Sequence, residues 1–373
     1  MLGNLSFPTL RHAYDLIAPE ELASIYEASF AQQMAHSLNL QHRMDDIRWG
    51  STGFCADGFV IQDNHGYTKN DGKSVADKNP VEQVAPPNYR WGAFITGTGE
   101  LTKVGEESLN DPGASGYQIN NAGFTMGVDY RLTDHWAIGL SGGYTHSTGQ
   151  LVDNGRLNTD GGKIGLYSTY GIGGFYVDAA ASGGWNQYDT RRTAYLGTET
   201  GSTDGGEFDG MIAAGYDWKK GCWIFGPYAD FEYNYVEFNS FSEDDRPNSN
   251  TSSLVPLHYP DQNQSAYRTN LGVRIAHEQV MKPGEGLTVV PEVRAAWRHD
   301  FGDNSYAIDS NFIGCTDTFT VHGPWIGRDS AVVDIGLTAY CTQQLSAYIF
   351  YQGQFARDNY NNNAISGGMR FAF

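Results

Sequence analysis

The sequence contains no long hydrophobic run: across its 373 residues nothing approaches the roughly 18 consecutive apolar positions of a membrane helix. That excludes a helical membrane protein and leaves a membrane barrel open. Alternating lipid-facing and lumen-facing residues give a barrel an ordinary mean hydropathy, here −0.45. Cations are scarce, with 24 Lys and Arg against 43 Asp and Glu and a net charge of −19. Nucleic acid is therefore excluded as a partner, since phosphate binding needs clustered cations. The four cysteines, Cys55, Cys222, Cys315 and Cys341, are widely spaced and form no C-x-x-C pair. Zinc and thioredoxin-type chemistry fall away, while a disulfide stays open in an oxidising periplasm. No P-loop, H-E-x-x-H or EF-hand spacing occurs, so no cofactor and no metal are expected. Met1 to Pro19 lacks the basic start, apolar stretch and small-residue cleavage site of a signal peptide. If the protein is exported, the expectation is a fragment or a chain whose upstream part has been removed.

Glycine and aromatics are what the sequence has in quantity: 46 Gly, 23 Tyr and 19 Phe, a mix suited to many strands and tight turns. Three segments separate. Residues 1–48 form a linker with one long helix predicted over 19–48. Pro19, Glu20 and Glu21 suit a helix start. Leu22, Ile25, Tyr26, Phe30 and Met34 recur at a helical period and define its apolar face. Residues 49–88, rich in Gly, Asp, Asn and Lys and ending in Pro86-Pro87, read as a flexible linker. Residues 89–373 alternate with period two. Ala331, Val333, Ile335 and Leu337 oppose Ser330, Asp334 and Thr338, and Met369, Phe371 and Phe373 oppose Gly368 and Arg370.

One face of each strand is thus apolar and aromatic, and the other carries charges of both signs. Asp129, Asp178, Asp230, Glu232, Arg268, Arg274, Glu292, Arg294, Arg298, Asp334 and Arg370 fall on the charged face. Toward lipid near the midplane each would cost about 2–4 kcal/mol, so they are expected to face a polar lumen. There they would pair with one another and with the helix, or line a low-friction path for an unfolded chain. Alternation alone fits a soluble β-rich binding protein as well. Short turns (Thr133-Asp134, Gly173-Gly174, Lys220-Gly221, Thr342-Gln343) alternating with polar segments at 105–115, 150–156, 188–204, 240–264 and 302–327 favour the membrane reading. The fold class is an all-β membrane protein, an antiparallel transmembrane barrel of about twelve strands with the N-terminal α-helix inside its pore.

Gly127-Val128-Asp129-Tyr130-Arg131-Leu132-Thr133-Asp134-His135 with Gly139 and Tyr144, Trp91-Gly92 with Phe94 and Gly97, the closing Gly367-Gly368-Met369-Arg370-Phe371-Ala372-Phe373, and Arg43-Met44-Asp45-Asp46-Ile47-Arg48 before the strands occur in a telling order. In them the chain resembles the autotransporter β-domain family, the translocators of type V secretion. The resemblance implies a barrel in the bacterial outer membrane, among its lipids. It implies a covalently linked passenger upstream, exported to the cell surface, and a helix that ends in the pore. It implies that Phe373, with Phe371 and Met369, forms the signal read by the barrel-assembly machinery. Some members cut their passenger free at an Asn-Asn bond in the helix. This helix has the single Asn39 between Leu38 and Leu40, so self-cleavage is not expected. A monomer is expected.

Other chemistry finds little support. Gly139-Leu140-Ser141-Gly142-Gly143 has the letters of a nucleophile elbow but lies in a predicted strand with no helix after it. Glu243-Asp244-Asp245 reads as a solvated extracellular loop. The competing readings are a porin, against which the pore helix argues, and a barrel protease or lipase, for which no rim cluster of catalytic groups is evident. The chain is not expected to be an enzyme.

Overall fold

The computed structural model describes residues 16–50, 89–105, 116–151, 154–194, 197–245, 256–282 and 287–373. The expected linker lies outside them from residue 51 to 88, and Cys55 with it. Twelve long strands follow in order: β1 (Trp91–Val104), β2 (Tyr117–Thr133), β3 (Trp136–Gln150), β4 (Arg156–Ile172), β5 (Phe175–Ala194) and β6 (Gly197–Tyr216). They continue with β7 (Trp223–Phe238), β8 (Gln262–His277), β9 (Leu287–Asp300), β10 (Asp329–Tyr340), β11 (Leu345–Arg357) and β12 (Tyr360–Ala372). Each pairs antiparallel with its neighbour in sequence, and β1 also pairs with β12. The sheet is therefore a closed barrel without an edge, the arrangement that leaves no backbone amide to lipid. The seam is finished by a reciprocal pair of backbone bonds, Trp91 N to Phe373 O at 3.0 Å and Phe373 N to Trp91 O at 2.9 Å.

Period-two alternation sets which residues face in. In β10, Ala331, Ile335 and Leu337 lie outside, while Ser330, Asp334 and Thr338 are buried. The outer wall is an apolar band, with Ile164 77% and Val273 61% exposed. Trp91, Trp136, Trp218, Trp223 and Phe373 are exposed near its short-turn rim, as expected for an interfacial girdle. On the inner wall some rings lie over glycines of the adjacent strand. A Cβ at Gly139 would collide with the Tyr167 ring, and one at Gly336 with the Phe350 ring. These glycines let bulky rings hug the wall and leave the barrel axis free.

Strand boundaries differ from expectation at one place. Residues 188–204 were expected to form a long loop, yet β5 and β6 run to a tight hairpin, with Ala194 opposite Gly197. This hairpin projects past the apolar band, where both faces are polar and no alternation marks a strand. Segments 240–264 and 302–327 also carry structure. Phe241–Ser242, Leu257–Tyr259, Ala307–Phe312 and Phe319–His322 form a small four-stranded sheet at the long-loop mouth.

The helix occupies the lumen. A 3-10 turn, Glu20–Ala23, leads into α1 (Ser24–Trp49), which ends at Gly50 in the left-handed region at φ 86°. Its residues are buried on all sides except Ala35, Leu38 and Gln41, which are half-buried. One apolar face against one partner is thus not the arrangement found. Leu22, Ile25, Tyr26 and Phe30 pack into an apolar core at the mouth, Met34 lies midway, and Leu40, Met44 and Ile47 form a second cluster near the short-turn rim. A polar lumen encloses a helix completely, so helical period does not single out a buried side.

Candidate functional site: the helix inside the barrel

The contacts along α1 fall into three zones. At the mouth they are aromatic. The Tyr26 ring lies 5.6 Å from Phe238 and 5.9 Å from Tyr306, and Phe30 lies 5.7 Å from Tyr306, with the Arg268 guanidinium 5.3 Å over Phe30. Mid-lumen they are hydrogen bonds made by uncharged helix side chains. Gln33 donates to Glu207 at 3.2 Å, and Ser29 and the Tyr188 hydroxyl share a 2.8 Å bond. The Asn39 amide donates to Thr98 and Thr125 at 3.0 and 3.1 Å. Ser141, the serine of the elbow-like motif, lies within β3 and shares a 3.3 Å bond with His36.

Toward Trp49 the contacts are ionic. Arg43 grips Asp129 with two bonds, at 2.8 and 2.9 Å, and reaches Asp46 at 2.7 Å. Asp46 in turn receives Arg370 at 3.0 Å. Asp45 is the hub: Arg274 meets it at 2.6 Å, and Arg48 and Arg294 bond to it as well. Arg274 also pairs with Asp217, Arg48 with Asp178, and Arg294 with Glu292 at 2.8 Å. His42 bonds Asp334 at 2.7 Å and stacks on Phe350. Arg131 caps the helix by donating to the Ile47 carbonyl at 2.7 Å. All these ionic side chains except Arg131 are buried, and charges so placed hold together only while each keeps its partner.

Of the eleven charged residues singled out on the strands, all are buried. Asp129, Asp178, Arg274, Arg294 and Arg370 contact the helix directly through ion pairs, Asp334 contacts it through its bond to His42, and Arg298 reaches the Met34 sulfur at 3.3 Å. Glu292 pairs with Arg294, Arg268 with Asp300 at 3.3 Å, and Asp230 accepts from Asn270 at 2.6 Å. Glu232 lies 4.0 Å from Arg298. Phe373, Phe371 and Met369 lie outside, about half exposed. Asp217 and Lys163 were missed. Counting by two along β6 from Asp209 through Met211 and Ala213 reaches Asp217. Counting back from Thr169 and Tyr167 reaches Lys163, which pairs with Glu207 at 2.7 Å.

Glu243 corrects another reading. It is not a solvated loop carboxylate but a buried one, held by Arg192 at 2.7 and 3.0 Å and by the Tyr259 hydroxyl at 2.9 Å. The same Arg192 donates to the Leu16 carbonyl at 2.8 Å, ahead of the helix. Glu21 stands close by. Burial, and then the neighbouring Glu20, push its carboxyl up to about 8 against the pull of Arg192. An acid whose pKa rises on folding binds its proton more tightly in the folded state. Its stabilising contribution is complete below pH 4.5, the ordinary value, and disappears as pH climbs through 8. Hydrogen exchange of residues 20–30, corrected for intrinsic rates, should be slower at pH 5.5 than at pH 8.5, and Glu21→Gln should remove the difference. A pH-independent wild type would contradict the assignment.

Cys222 is disulfide-bonded, whereas Cys315 and Cys341 are free and exposed. No helix among the described residues is long and apolar enough to cross a membrane.

Known proteins resemble this arrangement. The translocator domain of NalP from Neisseria meningitidis superposes with a TM-score of 0.60 at 12% identity, covering 77% of this chain and 90% of that one. The β-domain of Bordetella BrkA gives 0.56 at 17% identity, covering 76% and 100%. In sequence, an extracellular serine protease of Serratia marcescens is 24% identical over 278 residues, 73% of this chain and 25% of the protease. Esterase EstA of Pseudomonas aeruginosa is 26% identical over 197 residues, 50% of this chain and 28% of the esterase. The chain spans about a quarter of the length of these relatives. The family model for the autotransporter beta-domain matches residues 93–352, and the chain belongs to that family: it is an outer-membrane translocator barrel.

Proposed function

We propose that this barrel carries a passenger, covalently linked ahead of the helix, to the cell surface, and then keeps it anchored there with the helix seated as a plug. The direction of α1 supports the reading. Its N-terminal end lies among the long-loop elements at the mouth and Trp49 near the short-turn rim, so whatever is linked ahead of the helix lies on the mouth side. The passenger stays attached, since Asn39 is bonded between two threonines and has no second asparagine beside it. The barrel itself is not an enzyme. The activities named for the protease and the esterase belong, in this reading, to the three quarters of those proteins that this chain does not cover. To test it, a folded reporter domain is fused ahead of Met1 and its accessibility to externally added protease is scored in intact cells. Surface exposure of a reporter that remains joined to the barrel is the expected result. A reporter held in the periplasm while the barrel is inserted would overturn the proposal.

In the same reading the chain functions as a monomer surrounded by outer-membrane lipid. The barrel-assembly machinery recognises Phe373, Phe371 and Met369 during insertion. The three share the outer face by their spacing of two, and the rings of Phe371 and Phe373 stack at 5.8 Å. Phe373 also closes the seam onto Trp91, but two backbone bonds contribute little beside the other pairings of that seam, about 1 kcal/mol each. Deleting Phe373 should therefore leave the refolded barrel within about 2 kcal/mol of wild type while sharply reducing outer-membrane yield in cells. Phe355→Ala, an outward aromatic on β11, is the control. Wild-type yield from the deletion would remove any recognition role.

A further inference from the structure

The polar segment between β9 and β10 does not stay clear of the mouth. From Ser305 to Ile326 it crosses over the start of the helix. Tyr306, Ile308 and Ile326 are buried in the same apolar cluster as Leu22, Ala23, Ile25, Tyr26 and Phe30. The Tyr306 ring stands edge-on to both Tyr26 and Phe30, and its hydroxyl donates to Glu27 at 3.4 Å. Farther along, Gly323 rests on Ala23: a Cβ added at 323 would lie 2.5 Å from the Ala23 Cβ, far inside contact distance. The backbone fixes Gly323 there. Its N–H donates to the Tyr306 carbonyl at 2.9 Å, and its carbonyl accepts from the Ser305 hydroxyl at 2.7 Å. The foot of the segment is tied to the wall, where Asp300 pairs with Arg268 and Arg357 and its N–H donates to the Arg328 carbonyl at 2.9 Å. The far tip, at Ile313 and Cys315, is exposed. The segment is thus a strap rooted on one side of the barrel, with rings and a glycine on its underside.

We propose that this strap rides lifted while the passenger passes and settles when Ala23 arrives beneath Gly323, which marks the point where the chain stops. The proposal rests on the export reading above. With the strap seated, the gap beneath Gly323 admits a methyl group and nothing larger, and packed contacts do not absorb extra bulk without displacement. The residues that precede Ala23 through the mouth include Phe7, Arg11 and Tyr14. Side chains of that size hold Gly323 up, and the small Ala23 is the notch that lets it down. Ala23 also stands at the N-cap of α1, so the strap settles where the helix begins. Once it is seated, Gly323, Tyr306 and Ile326 must rise together before the helix can be drawn outward.

The test is hydrogen exchange of the whole chain in detergent at a single pH. Gly323→Ala sets a methyl against the Ala23 methyl and should speed exchange of residues 20–30 and 305–326 together by about tenfold, with Asp329–Tyr340 of β10 unchanged. Adding Ala23→Gly moves the methyl from helix to strap. Glycine is well tolerated at an N-cap, so exchange should return to the wild-type rate. Ile313→Ser, at the exposed tip, should change neither segment. Ala23→Phe leaves no notch and should keep the strap lifted, yet a reporter fused ahead of Met1 should still reach the cell surface, because the lifted strap is the exporting state. Unchanged exchange in Gly323→Ala, faster exchange confined to 305–326, no recovery in the paired variant, or a reporter that only wild type exports would each overturn the proposal. A reporter held in the periplasm by wild type as well would instead overturn the export reading, on which the exchange of the purified chain does not depend.

Discussion

Removing residues 1–49 is expected to convert a nearly closed barrel into an open channel, with a severalfold rise in single-channel conductance in planar bilayers. An α-helix with its side chains is about 10–12 Å across, and here it is buried against the wall except along Ala35, Leu38 and Gln41. Between the described residues, the spaces along Met34, Ala35 and Leu38 measure only about 10 to 30 Å³, room for a water and not for a hydrated solute. The truncated barrel should also unfold at lower temperature, because the lumen charges that faced the helix lose partners. The untruncated chain and a chain lacking only residues 1–15 should conduct alike, since the plug begins at the mouth with Leu22. Equal conductance with and without α1 would mean that the helix does not control the pore.

Asp45→Ala should destabilise the folded barrel by about 3–5 kcal/mol, the range for stripping one member from a buried ionic network. Arg274, Arg294 and Arg48 all converge on this one carboxylate, so its loss leaves three buried guanidinium groups to share Asp217, Glu292 and Asp178. Urea unfolding in detergent micelles, followed by tryptophan fluorescence, gives the number. Replacing Asp45 by Leu together with Arg274→Met and Arg294→Met should recover most of the loss, because apolar groups of similar volume need no partner. A loss below about 1 kcal/mol for Asp45→Ala would place the ion pairs in the weak, solvent-screened class.

How much of this was legible in the sequence depended on where the membrane lies. Between Ala331 and Ala339, lipid on one side and polar lumen on the other impose period two, and the strand can be read directly. Above the membrane that constraint ends, and Gly197–Asp204 continues β6 without any apolar signature. The mouth sheet was invisible for the same reason, its members being as short as Phe241–Ser242. For the helix site, the residue types and faces could be read, but the pairing could not. Asp45 and Arg274 are 229 positions apart, and only closure of the barrel brings them together. Glu243 misled because three consecutive acids look like a solvated run, whereas its partner Arg192 stands on the projecting β5–β6 hairpin, which the sequence did not announce.

The ionic register between α1 and the wall also decides where such proteins can be recombined. Arg43, Asp45, Asp46 and Arg48 are cut to fit Asp129, Arg274, Arg294, Arg370 and Asp178 of this barrel. A splice at Trp91, where the first strand begins, would pair this wall with a foreign helix and mismatched charges. A splice ahead of Glu20 would move helix and wall as one transferable cassette, so the module that accepts new cargo begins some seventy residues before its first strand.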